Sequence, residues 1–191
     1  MDPITRLKER AKEKPGKIVY PEGEDERILS AASIVRREGI AEPILLGKKG
    51  EIEKAAGDKG VDIDGIPVIE PKSSEKLESY IQGYCNMRED VSSAVASRLI
   101  GKVLFFGAMM VAGADADGMV GGISHSTASL LHACLLAIGC EEGISTASSF
   151  FIMVVPSEEG ERELMFADCA VNIDPTAEQL AEIAITSGRN A

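Results

Sequence analysis

The residues Gly121-Gly122-Ile123-Ser124-His125-Ser126-Thr127 gather side chains suited to holding an anion. Gly121 and Gly122 have no Cβ, so backbone there can approach a ligand closely. Ser124, Ser126 and Thr127 bring hydroxyls. The apolar run that follows reads as a helix over 126–138, whose first N–H groups and partial positive charge favour a negative guest. His125 can titrate near neutrality and either contacts a substrate or makes a structural hydrogen bond. The expected chemistry is the seating of a phosphate-like group, with amides turned toward it. Gly122, Ser124, His125, Ser126, Thr127 and His132 are the substrate-binding candidates. The plainer alternative is helix capping by Ser126 or Thr127, since the stretch matches neither G-x-G-x-x-G nor G-x-x-x-x-G-K-[ST].

His132 follows His125 by seven residues and sits within an apolar run, where a core histidine is the commoner reading. No third ligand stands near the two histidines, so no metal is expected. No residue declares itself catalytic. Two acidic segments carry weaker signals. In "YPEGEDERI", Glu22, Glu24, Asp25 and Glu26 read as a capped, solvated helix start. In "LMFADCAVNIDPTAEQLA", Asp168 and Asn172 end a strand that reads as buried. Asp168 would orient a ligand or satisfy loop N–H groups. Asp174 is expected to cap the last helix, with Pro175 in its first position.

These residues need a scaffold, and the patterning supplies one. Ile18-Val19-Tyr20, 42–47 and 65–71 are short strand signals. The segments 25–38, 48–56 and 73–84 have helical character between or after them. Helices are expected at 88–100 and 102–114, then a strand at "DGMVGG" and the buried helix 126–138. "SSFFIMVVP" and "ELMFADCAVN" are strands flanking an acidic loop, Ser157–Glu163. Alternation of strand and helix predicts an α/β fold: a parallel-sheet, three-layer αβα domain over 1–143 and the beginning of a second α/β domain over 144–191.

Composition narrows the function. A formal net charge of −11 argues against nucleic acid as a partner. Cys85, Cys134, Cys140 and Cys169 show no metal or redox spacing and read as reduced core residues. "MDPITRLKERAKEK" is charged rather than signal-like, and the longest apolar runs are too short to span a bilayer. A cytoplasmic protein without membrane contact is expected.

Four stretches, in order, carry a resemblance: "KIVYPEGEDERIL", "FFGAMMVAGADADGMVGGISHSTA", "SSFFIMVVP" and "FADCAVNIDPTAEQLAEIAI". Together they resemble the phosphate acetyltransferase and butyryltransferase family across essentially the whole chain. The resemblance implies reversible acyl transfer between coenzyme A and inorganic phosphate. It also implies an architecture akin to isocitrate and isopropylmalate dehydrogenases, with the site between two α/β domains. No cofactor is implied, CoA being a substrate, and the partners are acyl-CoA and phosphate. A homodimer, or a partner chain completing the second domain, is expected.

There are departures. The family's usual Leu-Arg-Pro after the loop is replaced by Leu131-His132-Ala133, and an Arg-Lys pair before "FGAMM" is missing, leaving Arg88 as the nearby cation. The family also continues beyond the equivalent of Ala191. A non-catalytic CoA- or phosphate-binding or scaffolding module is therefore the alternative expectation.

Overall fold

Gly16–Tyr20 forms β1, the strand from which the sheet is registered. Parallel β2 (Ala41–Leu46) pairs along its whole length, from Gly16 opposite Ala41 to Tyr20 opposite Leu45. Parallel β3 (Val68–Ile69) extends the sheet beyond β2, and β4 (Gly118–Met119) pairs on the other side of β1. The order is β3-β2-β1-β4. The computed structural model describes residues 3–88, 90–158 and 160–190. The chain separates into two units, the first ending at Ile138 and the second starting at Gly139.

Strand side chains alternate between faces, and each face has its own helical cover. Tyr20 and Leu45 pack with Ile28, Leu29 and Ala32 of α2 (Glu26–Arg37) and Ile52 of α3 (Lys49–Lys59). Val19, Ile44 and Leu46 face α4 (Leu77–Met87), α5 (Ser93–Ile100) and α6 (Val103–Ala112). Each fully buried aliphatic side chain, such as Leu29 or Leu45, contributes about 1.5–3 kcal/mol by leaving water. This is the predicted three-layer arrangement. A charged helix, α1 (Pro3–Glu13), precedes β1 and is largely exposed.

Helix α6 is apolar all round and buried over Leu104–Met110. Gly107 lets it lie on the sheet: a Cβ there would fall 2.7 Å from Met119 Sδ and 3.1 Å from Val19 Cγ1. Helix α7 (Thr127–Ala137) is also rich in apolar residues, though less so than α6, and the expectation of burial fails. Only Ala133 and Ala137 are buried, while Leu135 is 39% exposed. α7 lies against α6 and turns Ala133 and Ala137, with part of Leu130 and Leu136, to the core, while Leu135 stays open.

The second unit also departs from expectation. β5 (Phe150–Ser157) and β6 (Gly160–Ala167) form an antiparallel hairpin in full register. Strand therefore claims much of the expected acidic loop. Neither strand is buried: Phe151 is 57% and Phe166 54% exposed. The final helix, α8, spans Ala177–Asn190. It begins beyond Asp174, because Thr176 and Gln179 form a reciprocal cap. The Gln179 amide donates to Thr176 Oγ1 and the Thr176 amide to Gln179 Oε1. All four cysteines are free, but Cys140 is exposed rather than a core residue. Among the described residues, no single helix is long and apolar enough to cross a membrane.

Candidate functional site

β2 and β3 lie to one side of β1 and β4 to the other, so the connections leaving β1 and β4 diverge at their carboxyl ends. Such a switch point is where open α/β sheets hold ligands. Pro21-Glu22-Gly23 leaves β1 there. Val120–Ser126 leaves β4, guided by the Val120 amide donating to Val19 O at 2.9 Å. The sequence-predicted loop therefore stands at the expected place in the sheet.

Its amides do not face outward. The carboxylate of Glu22, with its side chain 1% exposed, occupies the centre of the loop. Oε2 accepts from the amides of Gly122 at 2.8 Å and Ile123 at 2.9 Å. Oε1 accepts from the amides of Ser124 at 2.7 Å and His125 at 2.8 Å, and from Ser124 Oγ at 3.0 Å. His125 Nδ1 lies 3.0 Å from the same oxygen. Gly122 adopts φ 110°, a backbone state favouring glycine, which helps consecutive amides converge. Burial alone would push the Glu22 carboxyl up. The amides of Ile123, Ser124 and His125, with the His125 ring, outweigh it and hold the group far below the usual carboxylate range. The solvated helix start expected of Glu22 is thus wrong, although Asp25 does cap α2 by accepting from the Arg27 amide.

The remaining candidates divide. Gly122, Ser124 and His125 are joined through Glu22. Ser126 caps α7, its Oγ accepting from the Ser129 amide at 3.2 Å and sharing a hydrogen with Ser129 Oγ. Thr127, the first residue of α7, is exposed. His132 is exposed, its ring edge-on to Phe105 with centroids 6.0 Å apart. The core-histidine reading therefore fails, and no hydrogen bond ties His132 to the loop. Arg88 is committed elsewhere. It donates to Leu135 O at 3.1 Å and Leu136 O at 3.4 Å, at the carboxyl end of α7. That end attracts cations and lies about 15 Å along the helix from Ser126.

A small cavity of about 150 Å³ opens beside Glu22 and His125, bounded by Glu24, Asp25, Gly47 and Val103. A larger one, about 580 Å³, lies at the amino ends of the strands, where Lys17, Arg36 and Lys76 approach an apolar floor of Ile44 and Phe106. In the second unit, Asp168 satisfies its own loop. It accepts from the amides of Ala170, Val171 and Asn172 and from the Ser149 hydroxyl. Burial would raise its carboxyl. The Ser149 hydroxyl, the Ala170 amide, the Asn172 side chain and the Val171 amide hold it far below the usual range instead. Of its two expected roles, satisfying loop N–H groups is the one the structure displays. Among the described residues, no group of three His, Cys, Asp or Glu is placed to hold a metal.

Sequence reasoning missed Glu22 as the partner of the loop. The available signal was positional: an acidic residue directly beyond a buried strand, on the side of the sheet where a glycine-rich loop needed an anion.

Comparison with known proteins agrees with this layout. The phosphate acetyl/butaryl transferase profile matches residues 3–191. The phosphate acetyltransferase of Thermoanaerobacterium thermosaccharolyticum is 43% identical over 195 residues, covering 100% of this chain and 59% of that protein. The phosphate acetyltransferase of Nitratidesulfovibrio vulgaris is 41% identical over 187 residues, covering 97% of this chain and 26% of its own. A phosphotransacetylase from Streptococcus pyogenes superposes with a TM-score of 0.90 at 36% identity, covering 97% of this chain and 57% of that one. The chain thus spans about half the length of most of these relatives and about a quarter of one. A match over residues 3–191, with the same fold in a solved relative, places this chain in the phosphate acetyl/butaryl transferase family.

Proposed function

We propose that the chain takes part in reversible acyl exchange between coenzyme A and inorganic phosphate, acetyl-CoA plus phosphate giving acetyl phosphate plus CoA. The family match over residues 3–191 is the observation that carries this reading. Its substrates are acyl-CoA and phosphate. CoA is a substrate and not a resident cofactor, and the chemistry requires no metal. When acetyl phosphate reacts, the CoA sulfur attacks the acyl carbonyl, a tetrahedral oxyanion forms, and the carbon–oxygen bond to phosphate breaks. Such an oxyanion needs donors aimed at it. Glu22 takes the amides of residues 122–125. Donors at this end of the sheet that Glu22 does not take include the Thr127 hydroxyl and the first-turn amides of Thr127 and Ala128, which have no intrahelical acceptor, the Ser129 amide being held by Ser126 Oγ.

The protein is proposed to be cytoplasmic and to act as a homodimer or with a partner chain. The exposed apolar side chains of β5 and β6, among them Phe151, Ile152 and Phe166, support a further chain covering that hairpin.

One alternative has specific support: a non-catalytic module that binds CoA or phosphate. His132 brings no permanent charge where the resemblance implies an arginine, and Arg88 is spent on α7 carbonyls. Losing one charged hydrogen bond to phosphate costs about 1.5–3 kcal/mol. The test is release of free thiol from acetyl-CoA on adding phosphate. Phosphate-dependent release, lost in the Ser126→Ala/Thr127→Ala double variant, supports exchange. Saturable CoA binding without release favours the binding module, and absence of both overturns the two readings together.

A further inference from the structure

The cavity of about 580 Å³ at the amino ends of β1 and β2 lies at the opposite end of these strands from the Glu22 loop. Its volume falls within the range of about 300–1,000 Å³ in which small organic ligands are held. Its floor is made of core residues. Ile44, Tyr80, Phe106 and Met110 line it and are each less than a tenth exposed. Tyr80 and Phe106 stand edge to face with ring centroids 5.1 Å apart. A guest here meets an apolar wall already shaped by the packing of α4 and α6 on the sheet.

The polar rim is built as firmly. The Lys17 amide donates to Asp117 Oδ2 at 2.7 Å and the Lys17 carbonyl accepts from the Asp117 amide at 2.9 Å, joining the start of β1 to the approach to β4. Two residues before Asp117, Asp115 Oδ2 accepts from the Tyr80 hydroxyl at 2.6 Å and Oδ1 from Lys76 Nζ at 3.1 Å. The Tyr80 hydroxyl, followed by Lys76, holds the Asp115 carboxyl below its ordinary range, so it is an anion answered within the rim. Arg36 reaches the opening from α2, its Nη1 donating to Asp64 O. A Cβ at Gly65 would fall 3.1 Å from Arg36 Cζ, so the glycine, at φ 68°, leaves room for the guanidinium and its remaining donors. Lys17 neighbours Glu42 in the strand register, yet among the described residues no ion pair engages its ammonium.

Three cations, Lys17, Arg36 and Lys76, and two carboxylates, Glu42 and Asp115, line the cavity. That is a surplus of one positive charge, in a chain whose formal net charge is −11. An apolar floor under such a rim suits a guest with an apolar body and one negative charge. A second negative charge would face Glu42 and Asp115 with no cation left to match it. We propose that this cavity binds an amphipathic monocarboxylate, its aromatic or short aliphatic body against Ile44 and Phe106 and its carboxylate toward Lys17 and Lys76. This is a second ligand site, and it does not depend on the acyl-exchange reading.

The probe is phenylpropanoate, titrated into the full chain by calorimetry and followed by NMR, with phenylpropanol and phenylpropylamine as partners of like shape and different charge. Phenylpropanoate should bind saturably, at one site per chain. The alcohol should bind at least about tenfold more weakly, and the amine more weakly again. The Lys17→Gln/Lys76→Gln double variant should weaken the carboxylate by about tenfold or more and leave the alcohol nearly unchanged. Tyr80 still donates to Asp115 in that variant, which keeps the rim in place. Lys49→Gln, on the exposed side of α3, should change neither ligand. Amide and methionine-methyl signals should move at Ile44, Ile69 and Met110 and stay fixed at Gly122–His125. Inorganic phosphate, which lacks an apolar body, should not displace the probe. Absence of saturable binding overturns the proposal, as does equal affinity for the alcohol or the amine. So does an affinity indifferent to the double lysine variant, or displacement by phosphate with shifts at Gly122–His125. Acyl exchange is read separately from thiol release, so none of these outcomes removes it.

Discussion

Glu22 and Asp168 each draw a loop around a carboxylate, but in unlike settings. Glu22 bridges segments 100 residues or more apart, tying the exit of β1 to the exit of β4. Asp168 reaches mainly to Ala170, Val171 and Asn172, within four residues of itself, and to Ser149 across the hairpin. Glu22 lies beneath a packed three-layer unit, whereas Asp168 closes a two-stranded hairpin whose strands are largely exposed. The same acceptor chemistry therefore has different consequences. Where the carboxylate itself is buried, losing it leaves four amides without their acceptor. Where the carboxylate is half-buried and its partners are mostly within four residues, the loop is only loosened.

The contrast is sharpest in truncation. Glu22→Ala should destabilise the first unit by about 3 kcal/mol, because buried donors lose their acceptor. Urea unfolding checks this, and a change within about 0.5 kcal/mol would erase the distinction between the two sites. Acid should act in the same direction. Both carboxyls are held below their ordinary range in the folded state. The stability they contribute is therefore complete above the unfolded carboxyl's titration, near 4, and is lost as pH falls toward the folded value. Thermal melts on the acid side should show this loss, and Glu22→Gln should flatten much of it.

Asp168→Ala should cost less, about 1 kcal/mol. Its effect should be confined to faster amide exchange at Ala170–Asn172, with the first unit unchanged. Spread of the effect into β1 or β4 would break the comparison from the other side. Smallest is Ser126→Ala, which removes the α7 cap and should cost about 0.5–1 kcal/mol in melting experiments. Glu22 should be indifferent to it, since the two share no hydrogen bond.

Much of the first unit was legible before any coordinates. Ile18-Val19-Tyr20 and the segment around Ile44–Leu46 are too short and too apolar to be anything but buried strands once helical patterns follow them. Asp25 and Ser126 each cap a helix, as their residue types suggest. The weaker predictions failed for one shared reason, that local hydrophobicity does not say what will cover it. β5 is apolar along its length and α7 over most of its own, yet β5 is largely exposed and α7 buries only one side. His132 was misread with them. Asp174 lost its expected role because Thr176 and Gln179 satisfy each other two residues further on.

The candidate site shows the division most clearly. Residue types alone determined that Gly122–Thr127 would form a donor-rich turn at the carboxyl end of a strand, because glycine backbone, hydroxyls and a helix start are local properties. Pairing β4 beside β1 decided which anion that turn would hold. That pairing brought a carboxylate from 100 residues earlier within 2.8 Å of the Gly122 amide. No local pattern encodes such a meeting, since it depends on the order of strands in the sheet.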